Sequence, residues 1–212
     1  MCTQWSDENW YALFLQGDPV ARPLNSSQKS SIIRLSMQEA KRQMQTLRQR
    51  FGTEEPEPCL RQLGYRIEEE NPELMLHFLY MGLTVPDEHK VCLNRTVLGV
   101  LEQYMHTHLP AGDPQREKLR DIVLYHELFH VLEETSEDIY TRRVYATRKL
   151  LGCIPWKSKV EAASEIGAVH FSKLMARAEF SPCLYTRYLL AATNQKTDMD
   201  GAYGDGKESG WR

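Results

Sequence analysis

Hydrophobic spacing divides the chain into helical and strand-like stretches in a definite order. Ile33, Met37, Ala40, Met44, Leu47 and Phe51 recur at 4-3-4-3-4 intervals, opposite Lys41, Arg42, Arg48 and Arg50. With Ser26 or Ser27 as N-cap and Gly52 beyond the last turn, this spacing predicts a helix over 26–51. Three heptads are short for a coiled coil, so the stripe reads as a helix laid on its own domain, with a partner helix as the alternative. The acidic, proline-punctuated stretch Thr53–Pro58 leads to a short helix around Cys59–Leu63, ended by Gly64. Residues 65–70 alternate like a half-buried strand. Residues 74–84 and 90–94 read as two more strands, joined by the turn Pro86-Asp87-Glu88-His89. A helix from about 95 to 106 carries Val97, Val100, Leu101 and Tyr104 on one side. Asp113-Pro114, a cap followed by a first-turn proline, opens the next. A polar stretch over 135–149 and a break at Gly152 and Pro155 precede a helix over 158–175, and one more follows over 182–193. The expected class is therefore α+β, mainly helical, with a small β-sheet. Three parts are expected: an aromatic arm over 1–25, a domain over 26–192, and a polar, flexible tail over 193–212.

One helix breaks the amphipathic rule. From Ile122 to Leu132 every residue is apolar or aromatic except His126, Glu127 and His130. A helix that is apolar all round belongs in a core, where imidazoles and a carboxylate are costly unless paired or bound to a metal. His126 and His130 stand four apart and share a face, while Glu127 is rotated by roughly 100° about the axis. This is H-E-x-x-H on a helix, in which two imidazoles hold zinc and the glutamate acts as general base. The competing reading is a helix whose histidines are hydrogen-bonded core residues.

Two histidines leave a catalytic zinc one protein ligand short. The helix over 158–175 offers Glu161 and Glu165, one turn apart among Ala162, Ala163, Gly167 and Ala168. One acid can bind the metal while the other hydrogen-bonds a ligand histidine. Otherwise both are solvated charges in the first turns of a helix, where the dipole favours them.

Composition narrows the field without adding chemistry. The chain has 212 residues with 26 basic and 29 acidic side chains, so its charge does not point to nucleic acid or an anionic membrane. Cys2, Cys59, Cys92, Cys153 and Cys183 are odd in number and contain no Cys-x-x-Cys pair, against both a disulfide framework and a thiolate zinc site. Neither a signal peptide nor a membrane span is visible, which suggests a cytoplasmic protein.

The order of elements, with Val91-Cys-Leu-Asn94, then His126-Glu-Leu-Phe-His130, then Glu161-Ala-Ala-Ser-Glu165-Ile-Gly-Ala168, resembles the ImmA/IrrE-type zinc metallopeptidases. These are gluzincins with a minimal zincin-like core. The resemblance spans roughly residues 30–180, and its specific part is the two motifs. It implies zinc held by His126, His130 and Glu161, with Glu165 at a later polar position and Glu127 as the catalytic base. Phe129 stands where that family usually has glycine, and 30 residues separate His130 from Glu161. Known members cleave DNA-binding repressors, and no residue here singles out such a substrate. The expected partner is a protein or peptide substrate, with no direct nucleic-acid binding. The expected reaction is peptide-bond hydrolysis; the alternative is a non-catalytic zincin-like module that binds a metal or a partner. Tyr140, Tyr145 and His170 are candidate oxyanion donors, although His170 lies on the opposite helix face from Glu161 and reads as structural.

Overall fold

The computed structural model describes residues 5–75, 79–150 and 154–193, with backbone alone at 148–150 and 154–155. The fold is α+β and mainly helical. The first helix, α1 (Asp7–Gly17), is followed by α2 (Ser26–Phe51) and α3 (Pro56–Gln62). Strand β1 (Arg66–Glu70) precedes the β2 (Gly82–Val85) and β3 (Lys90–Asn94) hairpin, and α4 (Arg95–His108) comes next. A single turn, α5 (Pro114–Glu117), leads into α6 (Leu119–Thr135). The hairpin β4 (Tyr145–Leu150) and β5 (Ile154–Lys159), then α7 (Glu161–Met175) and α8 (Cys183–Ala192), complete the order. Among the described residues no helix is long and apolar enough to cross a membrane.

Most boundaries follow local chemistry. Gly52 ends α2 in the left-handed conformation at φ 64°, as a glycine after the last turn should. The N-cap of α2 is Asn25, in place of the serines expected there. Its side chain accepts from the Gln28 amide at 2.9 Å while Gln28 returns a side-chain acceptor to the Asn25 amide at 3.0 Å. This reciprocal capping box satisfies two otherwise orphaned donors.

Two expectations are corrected. The long strand over 74–84 is reduced to Gly82–Val85; residues 71–75 and 79–81 are irregular, and 76–78 lie outside the described residues. The polar stretch over 135–149 and the expected break at Pro155 contain a strand pair, Tyr145–Leu150 antiparallel to Ile154–Lys159. In β5 the adjacent Trp156 and Lys157 are both exposed, so that strand lacks the alternation of buried and solvated residues by which strands are recognised. Pairing of Tyr145 with Lys159 holds the chain extended up to α7, so that helix starts at Glu161 rather than at Ser158.

The three-stranded sheet has the order β1-β3-β2, with β1 parallel and β2 antiparallel to β3. Thus β2 is an edge strand, and it lies against α6. Helix α7 is the centre of the packing, set between α2 and α6. Its Ala168, Phe171 and Met175 enter one apolar cluster with α4, α6 and β3, while Ala162, Ala163, Ile166 and Val169 enter a second with α1 and the first half of α2. The aromatic arm is therefore docked: Trp10, Tyr11 and Leu15 are buried in that second cluster.

Phe129 fits this packing. Its ring is fully buried and meets Gly167, where any Cβ would stand 2.7 Å from Cζ of Phe129. The bulk in the second variable position of the motif is thus accommodated by a glycine on the facing helix. That bulk is taken up in the α6–α7 interface.

Candidate metal centre

Helix α6 presents His126 and His130 from one face, four residues apart, with their Nε2 atoms 3.1 Å from each other. Helix α7 crosses that face and delivers Glu165. Its Oε2 lies 3.5 Å from Nε2 of His126 and its Oε1 lies 3.7 Å from Nε2 of His130. A tetrahedral ion with bonds of about 2.0–2.1 Å sets its ligand atoms about 3.3–3.4 Å apart. The three separations bracket that spacing, and two imidazoles with one carboxylate form a donor set suited to zinc.

The acid that α7 brings to the two histidines is therefore one helical turn beyond the one expected. Glu161, expected in that role, has a side chain 69% exposed and pairs with Lys159 at 2.7 Å. Glu165, expected one shell further out, is the acid that faces the histidines. The displacement follows from the start of α7. With β5 extended to Lys159, Glu161 occupies the solvent-facing first turn, and only the next turn reaches α6.

Glu133 is the residue that sequence reasoning passed over. It is 5% exposed, and its Oε2 lies 3.0 Å from Nδ1 of His130. Ser164 donates to the same oxygen at 2.5 Å, and Thr141 donates to the other. A carboxylate holding Nδ1 assigns the proton to that nitrogen and turns Nε2 toward the ligand position as a lone pair. The available signal was position: Glu133 lies three residues after His130, on the same helix face.

Electrostatics agree with a cation site. Burial opposes charge on His130. The bond to Glu133, together with the fields of Glu165 and Glu127, outweighs it and pushes the ring up to about 9. Burial likewise opposes charge on Glu165, but His126, His130 and Lys159 hold its carboxyl down at about 2. The cluster therefore favours a positive charge at its centre, carried by protons or by a metal that displaces them.

Glu127 does not converge with the three ligands. It is 5% exposed and accepts from the Thr84 hydroxyl through Oε2 at 2.9 Å. Gly82 makes room for it, since a Cβ there would stand 2.8 Å from both Cγ and Oε1 of Glu127. Thus the short strand β2, next to α6, orients the glutamate beside the ligands. His126, Glu127, His130 and Glu165 line one cleft of about 510 Å³, with Gly82, Leu83 and Thr84 along one side. Tyr140, Tyr145 and His170 do not line it, whereas Tyr80 does. Tyr145 is 57% exposed on the hairpin, and His170 bonds Tyr11 through Nδ1 at 3.1 Å.

A second group, Glu68, Glu70 and Cys92, also brings potential ligand atoms together. Lys90 already answers its charge, with Nζ 3.6 Å from Glu68 and 3.4 Å from Glu70. No family model matches the chain, and no curated protein or solved structure does so either.

Proposed function

We propose that the chain is a zinc-dependent metallopeptidase related to the ImmA/IrrE type. The observation that supports this most is the meeting of His126, His130 and Glu165 beside a glutamate that is held off the ligand position by its own partner. His126 and His130 give their Nε2 lone pairs, Glu165 gives a carboxylate oxygen, and Glu133 keeps the His130 ring in its tautomer. When bound, zinc supplies a water of lowered pKa and polarises the scissile carbonyl. Glu127 is the general base. Its Oε2 is occupied by Thr84, so Oε1 receives the proton of the attacking water and passes it to the leaving amine.

The edge strand supports a peptide as the substrate. The outer side of β2 borders the cleft, and an extended backbone can add to such an edge about 4.7–4.9 Å away. That places a peptide bond in front of Glu127 without any side-chain requirement. A second reading, a non-catalytic zincin-like module, draws support from the same Thr84 bond, which gives Glu127 a structural use.

Glu127→Gln separates the two. It keeps the shape and the Thr84 bond and removes the base. The expected result is full zinc content with cleavage of a mixed-peptide library slowed by roughly 10²–10⁴. Equal cleavage by the variant removes Glu127 from the mechanism, and a zinc-loaded parent that cleaves no peptide moves the module reading ahead.

A further inference from the structure

Beside the metal cluster the cleft opens into a second, larger hollow of about 1010 Å³. The two share Phe14, Lys159, Glu161, Glu165, Cys183 and Thr186, so Glu165 faces both spaces. The walls of the hollow are apolar and come mostly from the N-terminal arm. Trp10, Leu13 and Phe14 of α1 form one side, Pro19 and Val20 follow, and Ala162 of α7 closes the base. The charges at its mouth are the exposed Arg22 and the Lys159–Glu161 pair, joined at 2.7 Å. The carboxylate of Asp18 is already used. Its Oδ2 accepts from the Ala162 amide at 2.9 Å, and its Oδ1 accepts from Val20 and Ala21 at 2.7 and 3.1 Å.

This wall is fixed before any ligand arrives. Asp18 ties the end of α1 to the start of α7. Asp7 pairs with Lys173 at 2.7 Å, and Tyr11 bonds His170 further along the same helix. A preorganised apolar hollow loses little ordering entropy on binding. Continuity with the cleft decides what enters it, because a peptide lying on β2 with a carbonyl at the ligands has neighbouring side chains at the entrance. Resting on the peptidase reading for its occupant, we infer that the α1 arm builds a specificity subsite. It takes a large apolar side chain, aromatic or leucine-like, within one or two residues of the scissile bond.

The test uses a set of peptides identical except for Phe, Leu, Ala, Asp or Lys at each position around the cleaved bond. With the full zinc-loaded chain, Phe or Leu at one position is expected to raise kcat/KM over Ala by at least about 10-fold. Val20→Trp, which fills the hollow and leaves its backbone bond to Asp18 in place, should erase that preference, bringing kcat/KM for Phe and Leu peptides down to that for Ala peptides. Leu13→Glu should move the preference toward Lys, a gain that misfolding cannot mimic. Binding of the same peptides, measured by calorimetry on the zinc-loaded Glu127→Gln chain, reads the hollow apart from turnover. Phe-selective binding that Val20→Trp abolishes, with no cleavage by the parent, would remove the peptidase reading and keep the subsite. Cleavage without side-chain preference, a preference that survives Val20→Trp, or neither binding nor cleavage would overturn it. So would a dimer that Val20→Trp dissociates, since the hollow would then belong to a second copy.

Discussion

His130 and His170 stand on facing helices, each with its Nδ1 held by a neighbour, yet they are driven in opposite directions. The His130 side chain is 22% exposed and is surrounded by Glu127, Glu133 and Glu165; burial opposes its charge, but the acids win and raise it to about 9. His170 is 4% exposed. Burial comes first there and lowers it to about 4; Asp7 pulls it up, and Lys41 and Lys173 each push it down by less than Asp7 raises it. Its Nδ1 meets the Tyr11 hydroxyl, and its Nε2 has no hydrogen-bond partner among the described residues. A buried imidazole by itself is therefore uninformative. Acids arriving from a second helix, together with a ring nitrogen turned toward them, distinguish a cation site from a packed core.

The sharpest way to break this contrast is to remove each ring in turn. His130→Ala should abolish zinc binding, measured as metal content of protein purified without a histidine tag, whereas His170→Ala should keep about one zinc per chain. The same assay divides the acids: Glu165→Ala should lose most of its zinc and Glu161→Ala almost none, since Glu161 is solvated and paired with Lys159. Zinc loss in Glu161→Ala with retention in Glu165→Ala would return the third-ligand role to the residue first expected.

Why the first expectation landed one turn away is a matter of strand pairing. The H-E-x-x-H motif needs only the helical period, so His126, Glu127 and His130 were legible from spacing alone. The choice between Glu161 and Glu165 depends on the axial position of α7 along α6, since residues four apart share a face. That position is set by where β5 ends, and β5 carries no readable alternation because the adjacent Trp156 and Lys157 are both exposed. Gly82 and Thr84 were equally silent: a four-residue edge strand gives little periodicity, and its use appears only once β2 lies on α6. The α2 stripe, the β2–β3 turn and the small-residue face of α7 were readable, because each is fixed by neighbours in sequence. The docking site of the N-terminal arm was not, because Asp18, Tyr11 and Asp7 find partners 144, 159 and 166 residues away.

Glu133 sharpens the comparison, since it is the clearest difference between the settings of the two rings. Glu133→Gln keeps the size and one acceptor but removes the charge that raises His130. A carboxylate behind a ligand histidine typically contributes 10–100-fold to metal affinity. A loss of that size is expected in competition titrations against a chromogenic chelator. Unchanged affinity would mean that Ser164, whose hydroxyl is 3.3 Å from Nδ1, orients the ring unaided.

The smallest effect tests the other ring. His170 has a folded-state pKa of about 4, below the roughly 6.5 of an unfolded imidazole. At acid pH the unfolded chain therefore binds the additional proton, so stability falls as pH drops from about 6.5 toward 4 and this contribution is fully retained above 6.5. The complete shift corresponds to on the order of 3 kcal/mol, an upper bound because α1 can loosen and admit water before the whole domain unfolds. His130 works in the opposite sense, with stability present below about 6.5 and lost as pH rises through 9, so it does not contribute to the acid-side slope. Glu165 and Glu133 do contribute there, since their lowered values mean stability lost as pH falls, but they do so equally in parent and variant. Comparing zinc-free parent and His170→Gln therefore isolates one ring. Thermal melts at pH 7.5 and 4.5 should show the parent losing more of its Tm than the variant, whatever the two absolute values. Equal losses would mean that His170 takes up its proton without strain, through rearrangement around Asp7, and that the α1–α7 contact is less desolvated than its burial implies.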